Sequence, residues 1–169
     1  MTSRRSPATA RLLFRPDLAP EIGTGHLMRC WALAQACLAD GFEALFALHQ
    51  CPQSLLARIR GAGISTTKLH TPSDTAEFAV LATRFRPDAI VLDGYSIDSG
   101  YRQTVAALGL PVVAIDDGNL PFVLHADIVL NSTSSARPAD YERSAPDARL
   151  LLGPAFAPLR TEFLAPDPA

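Results

Sequence analysis

A chain of 169 residues, 48% hydrophobic and 19% charged, has the size and make-up of one globular domain with a substantial core. Its formal net charge is −2 and its arginines are scattered, with Lys68 the only lysine, so the chain lacks the basic stripe of a nucleic-acid-binding protein. No apolar run approaches the ~20 residues that span a bilayer, and a cytoplasmic protein is the expectation.

Residues 1–10 contain the pair Arg4-Arg5 without the apolar stretch an export signal needs, and read as a disordered tail. Residues 11–163 read as one Rossmann-like domain. Leu12 to Phe14 forms the first strand. A helix follows from about Gly25 to Asp40, carrying Leu27, Trp31, Ala34 and Leu38 on one stripe that Met28, Leu33 and Cys37 widen. Gly41 closes it. Strand 42–48 comes next, then a short helix from Pro52 to Arg60, ended by Gly61-Ala62-Gly63, and a weaker strand, 64–69. Ser73 or Asp74 caps a third helix that turns Phe78, Leu81 and Phe85 inward and stops at Arg86-Pro87. Strand 88–93 is nearly all apolar, as a strand buried on both faces should be. Asp98 caps a fourth helix to Leu108, and strands 111–117, 127–131 and 149–154 complete the series. Strands alternating with helices indicate an α/β fold with an open, mostly parallel sheet and helices on both faces.

In a sheet ordered 3-2-1-4-5, ligands bind beyond the carboxyl ends of the strands where the order reverses. Three polar turns converge there: Gly23-Thr24-Gly25-His26 after strand 1, Asp93-Gly94-Tyr95 after strand 4, and Asp116-Asp117-Gly118-Asn119 after strand 5. Gly23 and Gly25 permit a tight turn and a close approach of ligand to backbone. The helix start offers unpaired N–H groups and a positive dipole end, which favours a neutral His26 ring able to accept a proton. Met28 stands where a dinucleotide fingerprint needs its third glycine, so that motif is absent. The same residues also fit a plainer reading, with His26 capping or solvated, Tyr95 half-buried with its hydroxyl in water, and the aspartates shaping turns. Cys30, Cys37 and Cys51 form neither a disulfide framework nor a metal-ligand pattern and read as core residues. No metal and no cofactor is implied.

The stretch Ile22-Gly23-Thr24-Gly25-His26-Leu27-Met28-Arg29-Cys30 resembles the N-terminal motif of the nucleotide-sugar hydrolases of pseudaminic acid biosynthesis, which release UDP from UDP-2,4-diacetamido-2,4,6-trideoxy-β-L-altropyranose, and of related spore-coat polysaccharide proteins. The likeness continues through Asp93-Gly94-Tyr95, Ile115-Asp116-Asp117, Tyr141 and residues 152–163. Two positions differ: Gly94 replaces a histidine common in the hydrolases, and Leu130-Asn131-Ser132 stands where they carry Asp-Gln-Asn.

The resemblance implies the N-terminal half of a two-domain, B-type glycosyltransferase fold, with 164–169 the start of the linker and the nucleotide held mostly by a C-terminal domain in the same chain or a separate subunit. It makes His26 the general base, Tyr95 a catalytic partner that positions sugar or water, and Gly23, Gly25, Asp93 and Asp117 contacts to a nucleotide-sugar substrate. Arg29, one turn from His26, takes a supporting role. The alternatives are the acceptor-binding half of a glycosyltransferase and a non-catalytic carbohydrate- or partner-binding domain. By itself the chain is expected to fold, to be catalytically silent and to bind UDP weakly. Phe156, Leu159 and Phe163 are expected to cover a surface meant for the second domain or to mediate self-association.

Overall fold

A computed structural model describes residues 9–19, 22–71, 75–118 and 120–164. Its centre is a parallel sheet of seven strands in the order β3-β2-β1-β4-β5-β6-β7. The strands are β1 (Arg11–Pro16), β2 (Glu43–Leu48), β3 (Ser65–Lys68), β4 (Ala89–Asp93), β5 (Val112–Ile115), β6 (Ile128–Asn131) and β7 (Arg149–Leu152). Inside the sheet β4 and β5 are nearly all apolar, and in register Leu13 lies between Leu45 and Ile90. β3 is a polar edge, Ser-Thr-Thr-Lys, which suits a strand with one unpaired side.

Because alternate side chains of a strand face opposite ways, each face of this sheet builds its own core. Phe14, Phe46, Val91, Ile115 and Leu130 pack under α1 (Gly25–Ala39) and α2 (Gln53–Gly61). Leu13, Leu45, Ile90, Leu92 and Val112 pack under α3 (Thr75–Phe85) and α4 (Ser99–Ala106). A third cluster, with Ala114, Val129 and Tyr141, continues the second face beneath the 3-10 turn Pro138–Tyr141.

The expected elements all form, with boundaries set by local chemistry. Gly41 sits at φ +83°, and its N–H and that of Phe42 close the end of α1 on Leu38 and Cys37. The Asp98 carboxylate accepts the Tyr101 N–H and caps α4. α4 ends two residues early, at Ala106, where Leu108 and Gly109 turn back with Gly109 at φ +70°. β5 is shorter than the run 111–117 because Asp116 turns the chain: its carboxylate accepts the Gly118 N–H, with Gly118 at φ +98°. The expected cap at Ser73 or Asp74, Glu21 and the tail 1–8 lie outside the described residues. Cys30 is a core residue, whereas Cys37 and Cys51 are only half-buried; all three are free thiols.

The sequence order reverses between β1 and β4, as expected. This opens the crevice at their carboxyl ends.

Candidate active site at the switch point

Gly23, at φ +80°, makes the turn out of β1, and its N–H donates to Ala19. Gly25 adopts no left-handed conformation; it is the first residue of α1, so its use is room rather than φ. A Cβ at either glycine would meet nothing within 4 Å, and the helix start is open above. His26, Arg29 and Cys30 then share one face of α1, three and four residues apart. That face looks onto the end of β4.

The group it meets is Asp93, which has no exposed surface. His26 Nδ1 lies 2.7 Å from Asp93 Oδ1. Arg29 donates from Nε to Oδ2 at 3.0 Å and from Nη2 to Oδ1 at 2.6 Å. The Cys30 thiol stands 4.0 Å from Oδ2. Burial first, and then the Asp93 charge, push that thiol well above its ordinary range, so it stays protonated. Arg29 Nη2 also approaches His26 Nδ1 at 2.8 Å. A lone pair on Nδ1 would face the carboxylate at hydrogen-bonding distance and be repelled. The Nδ1 proton therefore belongs between His26 and Asp93, and both donors converge on Oδ1. Nε2 makes no hydrogen bond among the described residues, and in the neutral ring it is the nitrogen that carries the lone pair.

Tyr95 closes one side. Its ring meets the His26 ring edge-on, centroids 4.7 Å apart, and is itself 54% exposed. Its hydroxyl is not left in water: it donates to Asp117 Oδ2 at 2.6 Å, and Arg29 Nη1 reaches the same oxygen at 3.3 Å. Arg29 thus ties the three turns together through Asp93 and Asp117, the supporting role expected of it. The Asp117 hydrogen bond holds the Tyr95 phenol in its neutral form and pushes its pKa from 10.0 up to about 12. The sign follows: any stability linked to this proton is present below pH 10 and lost as pH rises through about 12. Asp117→Asn should bring the Tyr95 titration back toward its ordinary value, read by ultraviolet absorbance against pH. An unchanged titration would mean that Asp117 is not the cause.

One expected role needs correction. Asp93 was read as a substrate contact, but a carboxylate with no exposed surface and both oxygens engaged cannot touch a ligand. It holds His26 from below. Asp117, partly exposed, and the open backbone at Gly23 and Gly25 remain at the crevice.

Sequence reasoning missed Asp17. Its carboxylate is buried beside Gly94, accepts the Ser96 N–H at 2.7 Å and the Ser96 hydroxyl, and lies 3.7 Å from Arg15 Nη1. A Cβ at residue 94 would overlap that carboxylate, which accounts for the glycine there. Gly94→Ala should destabilise the chain by about 1–3 kcal/mol, the usual scale of overpacking. Urea denaturation measures it, and an unchanged midpoint would mean that Asp17 moves aside freely.

A second unanticipated network lies on the opposite face of the sheet. Asn131 donates to the Tyr141 hydroxyl at 2.7 Å, which donates to Asp116 Oδ2 at 2.8 Å. Burial raises the Tyr141 phenol. Asp116 and Asp117 therefore point to opposite sides, one anchoring the turn and the other facing the crevice.

No family model and no curated protein matches this chain. Solved structures do. MurG from Acinetobacter baumannii superposes with a TM-score of 0.57 at 12% identity over 77% of this chain and 43% of its own. The glycosyltransferase SsfS6 of a Streptomyces species gives 0.53 at 16% over 75% and 51%. Spinosyn rhamnosyltransferase SpnG gives 0.52 at 21% over 74% and 46%, and its complex with thymidine diphosphate is also similar. The fold is a Rossmann-like α/β sheet of the kind found in the matching part of these glycosyltransferase structures. The chain spans about half the length of the solved structures it matches. Among its described residues no helix is long and apolar enough to cross a membrane, and no group of His, Cys, Asp and Glu side chains is placed to hold a metal ion.

Proposed function

We propose that this half-domain supplies the general base and sugar-binding wall of a nucleotide-sugar hydrolase acting on a UDP-diacetamido-trideoxyhexose. The observation that carries the reading is the His26–Asp93 pair, with Nδ1 committed to a buried carboxylate and the Nε2 lone pair free at the switch point. Nε2 takes a proton from water as the water oxygen attacks the anomeric carbon. The bond from that carbon to the phosphate oxygen breaks, UDP leaves with the electron pair, and the sugar inverts. Asp93 stabilises the imidazolium that forms. Tyr95 frames the sugar beside the ring, Asp117 holds Tyr95, and Gly23 and Gly25 leave room for sugar hydroxyls or a phosphate oxygen at the start of α1.

The nucleotide is held by a second half, in the same chain or a separate subunit. Exposed Phe156, Leu159 and Phe163 lie on the segment whose Thr161 bonds Gln35 of α1, and they support a docking surface there. A second reading, favoured by the glycosyltransferase names of the neighbours, has the same base deprotonate an acceptor sugar hydroxyl in place of water.

The test supplies the chain and its nucleotide-binding half with the UDP-sugar and follows both products. UDP and free sugar in equal amounts support hydrolysis; sugar appearing on an added acceptor supports transfer. No turnover by a folded, assembled complex would overturn both in favour of a non-catalytic carbohydrate-binding domain. Tyr95→Phe should lower turnover and leave the melting temperature nearly unchanged, because Tyr95 is mostly exposed. A large drop in melting temperature would show a structural hydroxyl instead.

A further inference from the structure

Beyond the crevice, the carboxyl ends of β2 and β3 frame a cleft of about 340 Å³. Arg60, Lys68 and His49 line it, with Gln50, Thr66 and Thr67 between them, and no acidic residue is among its walls. In a chain of net charge −2 this is an uneven distribution. Arg60 spends its Nε on the Thr66 hydroxyl at 2.7 Å, which fixes the guanidinium along β3 and leaves its terminal nitrogens without a partner among the described residues. Lys68, the only lysine, has no hydrogen bond or ion pair among the described residues. His49 points Nδ1 at the Leu69 carbonyl at 3.4 Å and lies 3.3 Å from Gln50 through Nε2. Glu77, the carboxylate that shares the field of His49, is held by the ring and N–H of His70 at 2.7 and 2.9 Å. The two cations of this cleft are therefore not neutralised from within.

Gln50 and Cys51 also belong to the wall of a neighbouring, mostly apolar cleft of about 550 Å³, bounded on its far side by Leu18, Gly23 and Thr24. The two clefts form one path along the carboxyl edge of the sheet, from β3 to the turn that carries His26. With adjacent strands ~4.8 Å apart, that path covers roughly 10–15 Å.

We propose that the cleft between β2 and β3 binds the oxyanion group, phosphate or carboxylate, of an acceptor molecule whose hydroxyl lies at His26, a molecule distinct from the UDP-sugar. Arg60 and Lys68 make the charge-assisted contacts and Thr66 and Thr67 add hydroxyl donors. An apolar middle followed by an anionic end selects an elongated ligand, longer than one sugar ring. The link to His26 rests on the transfer reading above, in which the same base deprotonates an acceptor hydroxyl; the anion site itself does not.

Amide NMR titration of the full chain tests it with inorganic phosphate in one arm and acetate in the other, at constant ionic strength. Saturable shifts confined to Gln50, Thr66, Thr67 and Lys68 are expected, and the arm that saturates at lower concentration identifies the group. Arg60→Gln with Lys68→Gln should weaken binding about tenfold or more, the scale of losing charge-assisted contacts. His26→Asn should leave it unchanged, so loss of the catalytic reading would not remove the anion site. Diffuse, non-saturating shifts, or equal binding by a folded double variant, would overturn the proposal. Both Arg60 and Lys68 are exposed, so that variant should fold normally.

Discussion

His26→Asn should keep the fold and lower turnover of the assembled enzyme by about 10²–10⁴-fold, the usual contribution of a positioned general base. Asparagine can still donate toward Asp93, so the buried carboxylate keeps a partner and the variant should melt near the parent temperature. What disappears is the Nε2 lone pair. No other histidine replaces it: His49 and His70 lie toward the β2–β3 edge, and His125 sits beside Pro111 and Val112 at the opposite, amino end of β5. Rates of UDP release with purified, folded variant decide the matter. Turnover within a few-fold of the parent would remove His26 from the reaction.

The strands and helices were legible because their patterns match their burial. The run 89–92 is apolar and packs on both faces, and the stripe of α1 faces the sheet. The switch point followed from topology, and with it the meeting of His26, Asp93 and Tyr95. The contents of the site were harder to read. The resemblance makes Asp93 a substrate contact and its local pattern makes it a turn residue, since nothing in its own neighbourhood announces that an arginine and a histidine from α1 will bury it. The signal lay in the spacing of His26, Arg29 and Cys30 on one helix face, which asks for a single acceptor beneath all three. Asp17 and the Asn131–Tyr141–Asp116 chain depend on partners 79, 10 and 25 residues away, and no local pattern encodes such pairs. Parity along β5 does separate Asp116 from Asp117, because consecutive residues at a strand end leave by opposite faces.

Asp93→Asn should damage both stability and catalysis. The carboxylate takes Nδ1–H of His26 and two N–H groups of Arg29, and lies at the buried end of β4. An asparagine has one acceptor oxygen, and its NH₂ group would face donors. Breaking a buried ion pair by removing one partner costs about 3–5 kcal/mol. Arg29 retains partial exposure and the Asp117 contact, so the low end of that range is expected here. Denaturant midpoints measure this loss. Turnover should also fall among the molecules that remain folded, since an amide N–H toward Nδ1 favours the tautomer with the proton on Nε2, where no base is left. Assaying well below the variant's own melting temperature separates the two effects. A variant that is destabilised yet turns over normally in its folded form would make Asp93 a structural anchor alone, and the choice of tautomer at His26 would then need another cause.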